Sequence, residues 1–228
     1  IGQRYDVQGL DPASMETRGV NGAYESARSM LTVWDSDQAP DQGKRHLARM
    51  VDRPEGTIRV VAPDVGGSFG IKDCMFSEDV LIPYLSLRLR QPVKWVEERL
   101  ENLLTYHGRG ISLDVEVAVD GNGVILGIRA GVLADIGAYF YFTTPFPLFN
   151  AARRITGPYD VAAVRVELLG VVTNKTPTAA YRGTGSPEAA FAMERTMDLI
   201  AKDLGLDPAE VRRRNYVRTN SFPYETCT

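Results

Sequence analysis

The stretch ISLDVEVAVDGNGVILGIRAGV, residues 111–132, decides the fold. Apolar and polar residues alternate from Ile111 to Val119, which is the period-two pattern of a strand with one buried face. Asp120-Gly121-Asn122-Gly123 follows and has the composition of a tight hairpin turn. Val124 to Val132 then returns as the partner strand. The stretch therefore predicts a β-hairpin.

Further elements are predicted on both sides of this hairpin. The predicted strands are residues 29–34, 58–62, 92–96 and 161–172. The predicted helices are residues 40–50, 77–89, 97–104, 186–204 and 209–214. Ser77 and Asp207 are the expected N-caps, and Gly205 is the expected stop of the longest helix. Residues 1–28 show only weak periodicity, so no element is predicted there.

Hairpins mixed with helices favour an α+β (mixed α/β) fold with a mixed sheet, β-hairpins and packed helices. The 228 residues suffice for one large domain or two small ones. The net charge of -3 gives no attraction to a phosphate backbone, so no nucleic acid partner is expected.

Several other classes of protein are excluded by what the chain lacks. Cys74 and Cys227 are too few for a disulfide framework, a cysteine zinc site or an iron–sulfur cluster. No apolar run approaches the roughly 18 residues of a membrane span. No signal peptide precedes Ile1, so the cytoplasm is the default location.

A glycine loop follows the predicted strand at residues 58–62. In Gly66-Gly67-Ser68-Phe69-Gly70, the glycines permit positive φ, so several N–H groups can point toward one anion or oxo group. The alternative is an ordinary turn. The loop is not a P-loop, because Gly70-Ile71-Lys72-Asp73 has an insertion and lacks the hydroxyl residue. It also lacks the Gly-x-Gly-x-x-Gly spacing of a dinucleotide site.

A second loop, Gly183-Thr184-Gly185, opens the longest predicted helix and could also face an anion. Arg182 stands at its entrance with a charged fork suited to an oxyanion or carboxylate. A surface salt bridge is the alternative for Arg182.

Residues 135–152 are rich in aromatic side chains. They lie either in the core or along one wall of a substrate funnel, and the sequence leaves both interpretations open. The side chains concerned are Tyr139, Phe140, Tyr141, Phe142, Phe146 and Phe149.

Three segments together resemble the large subunit of the molybdenum hydroxylases, the family of xanthine dehydrogenase, aldehyde oxidase and aerobic carbon monoxide dehydrogenase. They are residues 34–40 (WDSDQAP), 62–72 (APDVGGSFGIK) and 180–190 (AYRGTGSPEAA). The resemblance implies that residues 1–228 are a fragment of a molybdopterin-binding domain, from the N-terminal part of the molybdenum-binding region. A division near residue 105 would separate a glycine-loop half from a half with the hairpin and the arginine loop.

The resemblance also implies roles for individual residues. The expected cofactor-binding residues are Gln38, Gly67, Ser68, Phe69, Gly70, Tyr181 and Arg182. The residues expected around the molybdenum are Gln38, whose amide would donate to an oxo group, Phe69 and Arg182. The expected substrate-binding residues are Asp73, Asn150 and Thr184.

These positions narrow the expected substrate. Thr184 replaces an aromatic residue that packs on purines, and Asn150 lies near the place of a substrate-orienting arginine. Both departures weigh against a purine, and the absence of cysteine in the second loop weighs against carbon monoxide. The resemblance therefore implies hydroxylation of an aldehyde or an N-heterocycle with oxygen from water.

The implied cofactor is molybdenum–molybdopterin, as molybdenum-pterin or its cytosine dinucleotide. The implied general base is a glutamate expected beyond Thr228, so no catalytic residue is expected in this chain and the isolated fragment is expected to be inert. The implied partners are the remainder of the large subunit, an iron–sulfur subunit and a flavin (FAD) subunit. The alternative is a non-catalytic binding or assembly module, because Ser68, Ile71 and Asp73 depart from the family loop.

Overall fold

Two four-stranded sheets organise the computed structural model, which describes residues 1–226. Within these residues the strands are β1 (Gly2–Leu10), β2 (Gly19–Glu25), β3 (Met30–Asp35), β4 (Ile58–Val61), β5 (Val93–Val96), β6 (Gly108–Val119), β7 (Ile125–Gly137) and β8 (Val164–Val172). The α-helices are α1 (Pro40–Met50), α2 (Ser77–Leu89), α3 (Arg99–Thr105), α4 (Pro145–Arg153), α5 (Ser186–Leu204) and α6 (Pro208–Asn215). The expected α+β fold, with a mixed sheet, hairpins and packed helices, is confirmed.

The predicted hairpin forms the centre of the first sheet, whose strand order is β1-β6-β7-β8. β6 pairs antiparallel with β1 and β7, and β8 joins β7 in parallel. The alternating apolar side chains of β6 and β7 face α5 and α6 and form the larger core. Leu113 and Met197 are fully buried there, so this core joins the hairpin to α5.

The second sheet has the strand order β4-β3-β2-β5. α1 connects β3 to the parallel strand β4, and α2 packs across β2. Gly22 of β2 lies against α2 so closely that a Cβ would stand 2.9 Å from Pro83 Cα. A side chain at Gly22 would therefore separate the helix from the sheet.

No element was predicted in residues 1–28, but the structure has the strands β1 and β2 there. β1 is an edge strand in which only Tyr5 is buried, so its sequence lacks a regular apolar alternation. β2 contains two glycines, which weaken its strand pattern. β1 pairs with β6, so the first sheet uses chain segments from both sides of residue 105. The division near residue 105 stays a prediction.

The predicted helix ends need one correction. Ser77 is the first helical residue and not the N-cap, because Phe76 takes that place and its N–H donates to Asp79 at 2.8 Å. Asp207 is confirmed as the cap of α6, since its Oδ1 accepts from the Ala209 N–H at 2.6 Å. Gly205 is confirmed as the end of α5 and has a φ of +65°.

The aromatic stretch is mostly exposed in the described residues. Tyr141 is the member that packs into buried side chains, so the core-facing interpretation is wrong for the others. Those exposed side chains are Tyr139, Phe140, Phe142, Phe146 and Phe149. Their role as a funnel wall stays a prediction.

Cys74 is buried and free, and Cys227 lies outside the described residues. Among residues 1–226, none of the helices is long and apolar enough to cross a membrane.

Candidate functional site

Three loops meet where the two sheets adjoin. They are residues 11–18 after β1, the glycine loop at residues 66–70 and the arginine loop at residues 180–185. The Glu16 N–H donates to the Gly66 carbonyl at 3.0 Å, and the Arg182 N–H donates to the Phe69 carbonyl at 2.8 Å. The two loops that the sequence singled out are therefore brought into direct backbone contact.

A small separate core of buried side chains packs against these loops. Ile71 and Tyr106 are fully buried in it, beside Phe76 and Cys74. The Tyr106 hydroxyl donates to the Ala180 carbonyl at 3.1 Å, so the core also fixes the start of the arginine loop.

Gly70 is required by the close approach of the two loops. Its φ is +116°, and a Cβ at this position would stand 1.9 Å from the Ala180 carbonyl oxygen. Gly67 and Phe69 also have positive φ, at +96° and +57°. These left-handed residues turn the backbone of the loop sharply.

The amide of Gln38 has a defined orientation at this loop. Its Oε1 accepts the Gly70 N–H at 3.1 Å and a short hydrogen bond from the Ser68 hydroxyl. A backbone N–H can only donate, so the atom that faces it must be the amide oxygen. Gln38 is exposed, and its Nε2 remains as a donor on the other side of the amide. Gln38 can therefore donate to an oxo group.

An ion pair between a buried lysine and a partly exposed glutamate holds the base of the glycine loop. The Lys72 side chain is fully buried, and its Nζ lies 2.6 Å from Glu16 Oε2. The same carboxylate oxygen accepts from the Gly66 N–H at 2.8 Å and from the Ser36 hydroxyl at 2.9 Å. Burial alone would raise the pKa of Glu16, but these donors and the Lys72 charge lower it below its usual range. Glu16 thus ties the loop to β3 and to the segment after β1.

The arginine loop presents Arg182 to solvent. Its guanidinium lies 5.8 Å from the centre of the Phe69 ring, and among the described residues it forms no ion pair. The surface salt bridge that the sequence left open is therefore absent from the described part of the chain. Tyr181 lies under the guanidinium of Arg109, 4.7 Å from its ring centre.

The three predicted substrate residues lie on segments that adjoin the loops. Asp73 is half-buried and follows the glycine loop, and its pKa is raised by burial. Asn150 is on α4, and Thr184 is in the arginine loop with a φ of +45°. α4 and this loop touch, because a Cβ at Gly185 would stand 2.1 Å from the Pro147 carbonyl oxygen.

A cavity beside Gln38 is lined by carboxyl groups that the sequence did not single out. Asp35, Asp37 and Asp79 share it with Asp73 and the buried Arg18. Burial and the neighbouring carboxylates raise the pKa of Asp35 to about 8 and that of Asp79 to about 6. Among residues 1–226, no group of three or more His, Cys, Asp and Glu side chains could hold a metal ion directly.

These features fit a molybdopterin cofactor on the evidence of the donor set. The Gln38 amide offers a neutral hydrogen-bond donor, and Arg182 offers a cation. At Gly70 the glycine loop has no room for a side chain, so it presents backbone there. Oxo groups and phosphates accept such hydrogen bonds.

Comparison with known proteins defines the class. The molybdopterin cofactor-binding domain family matches residues 1–216. The large subunit of nicotine 6-hydroxylase from Paenarthrobacter nicotinovorans is 39% identical over 93% of this chain and 26% of its own length. Quinoline 2-oxidoreductase from Pseudomonas putida 86 has a TM-score of 0.94 and 35% identity over 100% of this chain and 29% of its own. Carbon monoxide dehydrogenase from Oligotropha carboxidovorans has a TM-score of 0.90 and 33% identity, covering 98% of this chain and 28% of its own.

The fold and the loops thus define a cofactor-binding domain of molybdenum-dependent oxidoreductases. The chain belongs to the molybdopterin cofactor-binding domain family, as found in the large subunits of xanthine dehydrogenase-type enzymes. The chain spans less than a third of the length of these three relatives.

Two departures from the family loop are explained by the structure. Ile71 is not at positive φ, and its side chain is fully buried in the supporting core and does not project from the loop into solvent. Ser68 turns its hydroxyl toward Gln38. The main argument from sequence for a non-catalytic module is therefore weakened.

Sequence reasoning missed the charged residues that hold the loops. Glu16 lies in the segment where no element was predicted, and Arg109 lies at the start of β6 without any motif. Glu188 was part of the quoted third segment, but nothing local indicated its partner. In each case the partner is distant in sequence, so only the fold reveals the pair.

Proposed function

We propose that this chain forms the cofactor-binding part of an oxidoreductase that hydroxylates an N-heterocycle or an aldehyde with oxygen from water. The observation that carries the proposal is the oriented amide of Gln38, whose oxygen is held by Ser68 and Gly70 and whose Nε2 has no partner among residues 1–226.

Each residue of the site has a proposed task. When bound, the molybdenum cofactor supplies two-electron redox chemistry. The Gln38 Nε2 would donate to an oxo group of the cofactor, and the Arg182 guanidinium would balance negative charge near it. The backbone of Gly67, Ser68, Phe69 and Gly70, with Tyr181, would border the pterin. The cofactor is molybdenum-pterin or its cytosine dinucleotide.

Three residues are proposed to face the substrate. Asp73 is half-buried, and burial raises the pKa of its carboxyl group. Thr184 and Asn150 lack the ring and the charge that would bind a purine. Two relatives are named for nicotine and quinoline, which supports an N-heterocycle over an aldehyde.

The complete enzyme needs further protein. We propose that the remainder of a large subunit supplies a general-base glutamate, and that iron–sulfur and flavin subunits carry the electrons away. The relatives named as a large subunit and as subunit gamma of a complex support this assembly. The isolated chain should then show no turnover.

Isotope transfer tests the proposal. The full-length gene product and its subunits, produced in a host that makes molybdenum cofactor, are incubated in ¹⁸O-labelled water with pyridines, quinolines and aldehydes. We expect ¹⁸O in the hydroxylated product, and loss of product formation in Arg182→Ala. Product oxygen taken from O₂, or turnover by the isolated 228-residue chain, would contradict the proposal.

A further inference from the structure

Arg109 and Glu188 form a buried ion pair directly behind the arginine loop. Arg109 Nη1 lies 3.0 Å from Glu188 Oε2, and the two side chains are 13% and 1% exposed. Neither of these two atoms has a hydrogen-bond partner in the described residues, so the contact is ionic and its geometry is not optimal. Such a pair contributes little to stability compared with apolar packing, which suggests another reason for its presence.

Arg109 contacts the arginine loop at two further points. Its Nη2 donates to the Arg182 carbonyl at 3.3 Å, and its guanidinium lies 4.7 Å from the centre of the Tyr181 ring. The residue before it, Gly108, allows this approach, since a Cβ there would stand 2.1 Å from Tyr181 Cβ. One guanidinium therefore joins Tyr181, Arg182 and Glu188.

The backbone of Arg182 is consequently held from both sides. Its N–H donates to the Phe69 carbonyl of the glycine loop at 2.8 Å, and its carbonyl accepts from Arg109. Arg109 itself has a φ of +68°, an uncommon conformation for a residue with a side chain. Backbone strain of this kind persists only where the surroundings enforce it.

We propose that the Arg109–Glu188 pair positions Arg182 relative to the glycine loop and so determines how its guanidinium meets the cofactor. The inference rests on the proposed function, because the position of Arg182 has a chemical consequence only when a cofactor is bound. Arg109 and Glu188 act through Arg182 and are positioning residues.

Two substitutions separate charge from shape. Glu188→Gln removes the charge and keeps the size, and Arg109→Lys keeps the charge but loses the fork that reaches the Arg182 carbonyl. Glu194→Gln is the matched control. It is the same change on the same helix, and Glu194 also pairs with an arginine, Arg212, at 2.7 Å.

Hydrogen exchange of the full-length protein reports the loop without needing the cofactor. We expect the amides of residues 181–185 to exchange about tenfold faster in Glu188→Gln and Arg109→Lys than in Glu194→Gln. Equal exchange in all three variants would overturn the proposal. If Glu188→Gln does not fold, Arg109→Lys decides the outcome.

The Mo(V) electron paramagnetic resonance spectrum of the partly reduced complex reports the environment of the metal. We expect an altered spectrum in both variants at unchanged molybdenum content, and the wild-type spectrum in Glu194→Gln. A wild-type spectrum in all variants would show that the pair only supports the fold. Wild-type protein without molybdenum would instead overturn the proposed function, while the exchange rates still test the loop.

Discussion

The first sheet and the loop junction are held together by different balances of apolar packing and ion pairs. The hairpin β6–β7 packs on α5 through side chains such as Leu113, Val115 and Met197, all nearly or fully buried and apolar. The junction rests on a small apolar core and on three ion pairs, Glu16–Lys72, Glu97–Arg18 and Glu188–Arg109, each with at least one almost fully buried side chain.

This difference follows from what each region must do. An apolar core gains stability in proportion to the area it buries and tolerates changes that conserve volume. A buried ion pair gains little, but it fixes the position of the groups that it joins. The loops near Gln38 and Arg182 therefore use ion pairs, whereas the first sheet uses aliphatic packing.

Breaking the Arg18–Glu97 pair should have the largest effect on stability. Arg18 and Glu97 are 5% and 2% exposed, and Glu97 also accepts from Asn102 and Thr105. Glu97→Ala leaves Arg18 charged and buried, so the free energy of unfolding should fall by about 4 kcal/mol in urea titration. Glu116→Ala, which breaks an exposed pair with Arg129, is the control and should change far less. Equal effects would show that the junction does not depend on buried charge.

Truncating a side chain of the apolar core should lower the free energy of unfolding slightly less. Leu113 is fully buried between β6 and α5. Leu113→Ala should lower the free energy of unfolding by about 3 kcal/mol. The loss should leave the hydrogen exchange of the glycine loop unchanged below the unfolding transition. Faster exchange confined to residues 66–70 would contradict the separation of the two regions.

Adding one methyl group at Gly70 should act mainly on the junction. An alanine there takes an unfavourable φ of +116° and meets the Ala180 carbonyl oxygen, so we expect a loss of about 2 kcal/mol. Gly121→Ala is the matched control, because a Cβ at Gly121 would meet nothing within 4 Å. Thermal unfolding of the two variants measures the difference. Equal melting temperatures would mean that the glycine loop can relax.

The pH dependence should reveal the carboxyl groups of the cavity. Burial and the charge of Asp79 raise the pKa of Asp35 to about 8. The Asp35 carboxyl group therefore keeps its proton in the folded state between about pH 4 and pH 8. In the unfolded state it releases that proton above roughly pH 4, the model-peptide pKa of aspartate. This contribution to stability is present at low pH and is lost as the pH rises toward 8. Asp35→Asn should remove that slope and raise the free energy of unfolding at pH 8 relative to the wild type. An unchanged slope between pH 5 and 8 would contradict it.

The same contrast explains how far the sequence predicts the molecule. Period-two alternation and a hairpin turn identified β6 and β7, and a glycine stop identified the end of α5, because these patterns are local. β1 left no such pattern, since only Tyr5 of its side chains is buried. The two loops were found through their glycines. The ion pairs that hold these loops were not found, because Glu16 and Lys72 are 56 residues apart and only the fold brings them together.

The central claim is that the loop junction holds a molybdenum cofactor. Molybdenum and pterin content of the full-length gene product, produced in a host that makes the cofactor, tests it most directly. We compare the wild type with Gln38→Ala and with Gln8→Ala, an exposed control on β1. We predict stoichiometric molybdenum and pterin in the wild type and in Gln8→Ala, and a loss of about tenfold in Gln38→Ala. A well-folded wild-type protein with neither molybdenum nor pterin would contradict the claim.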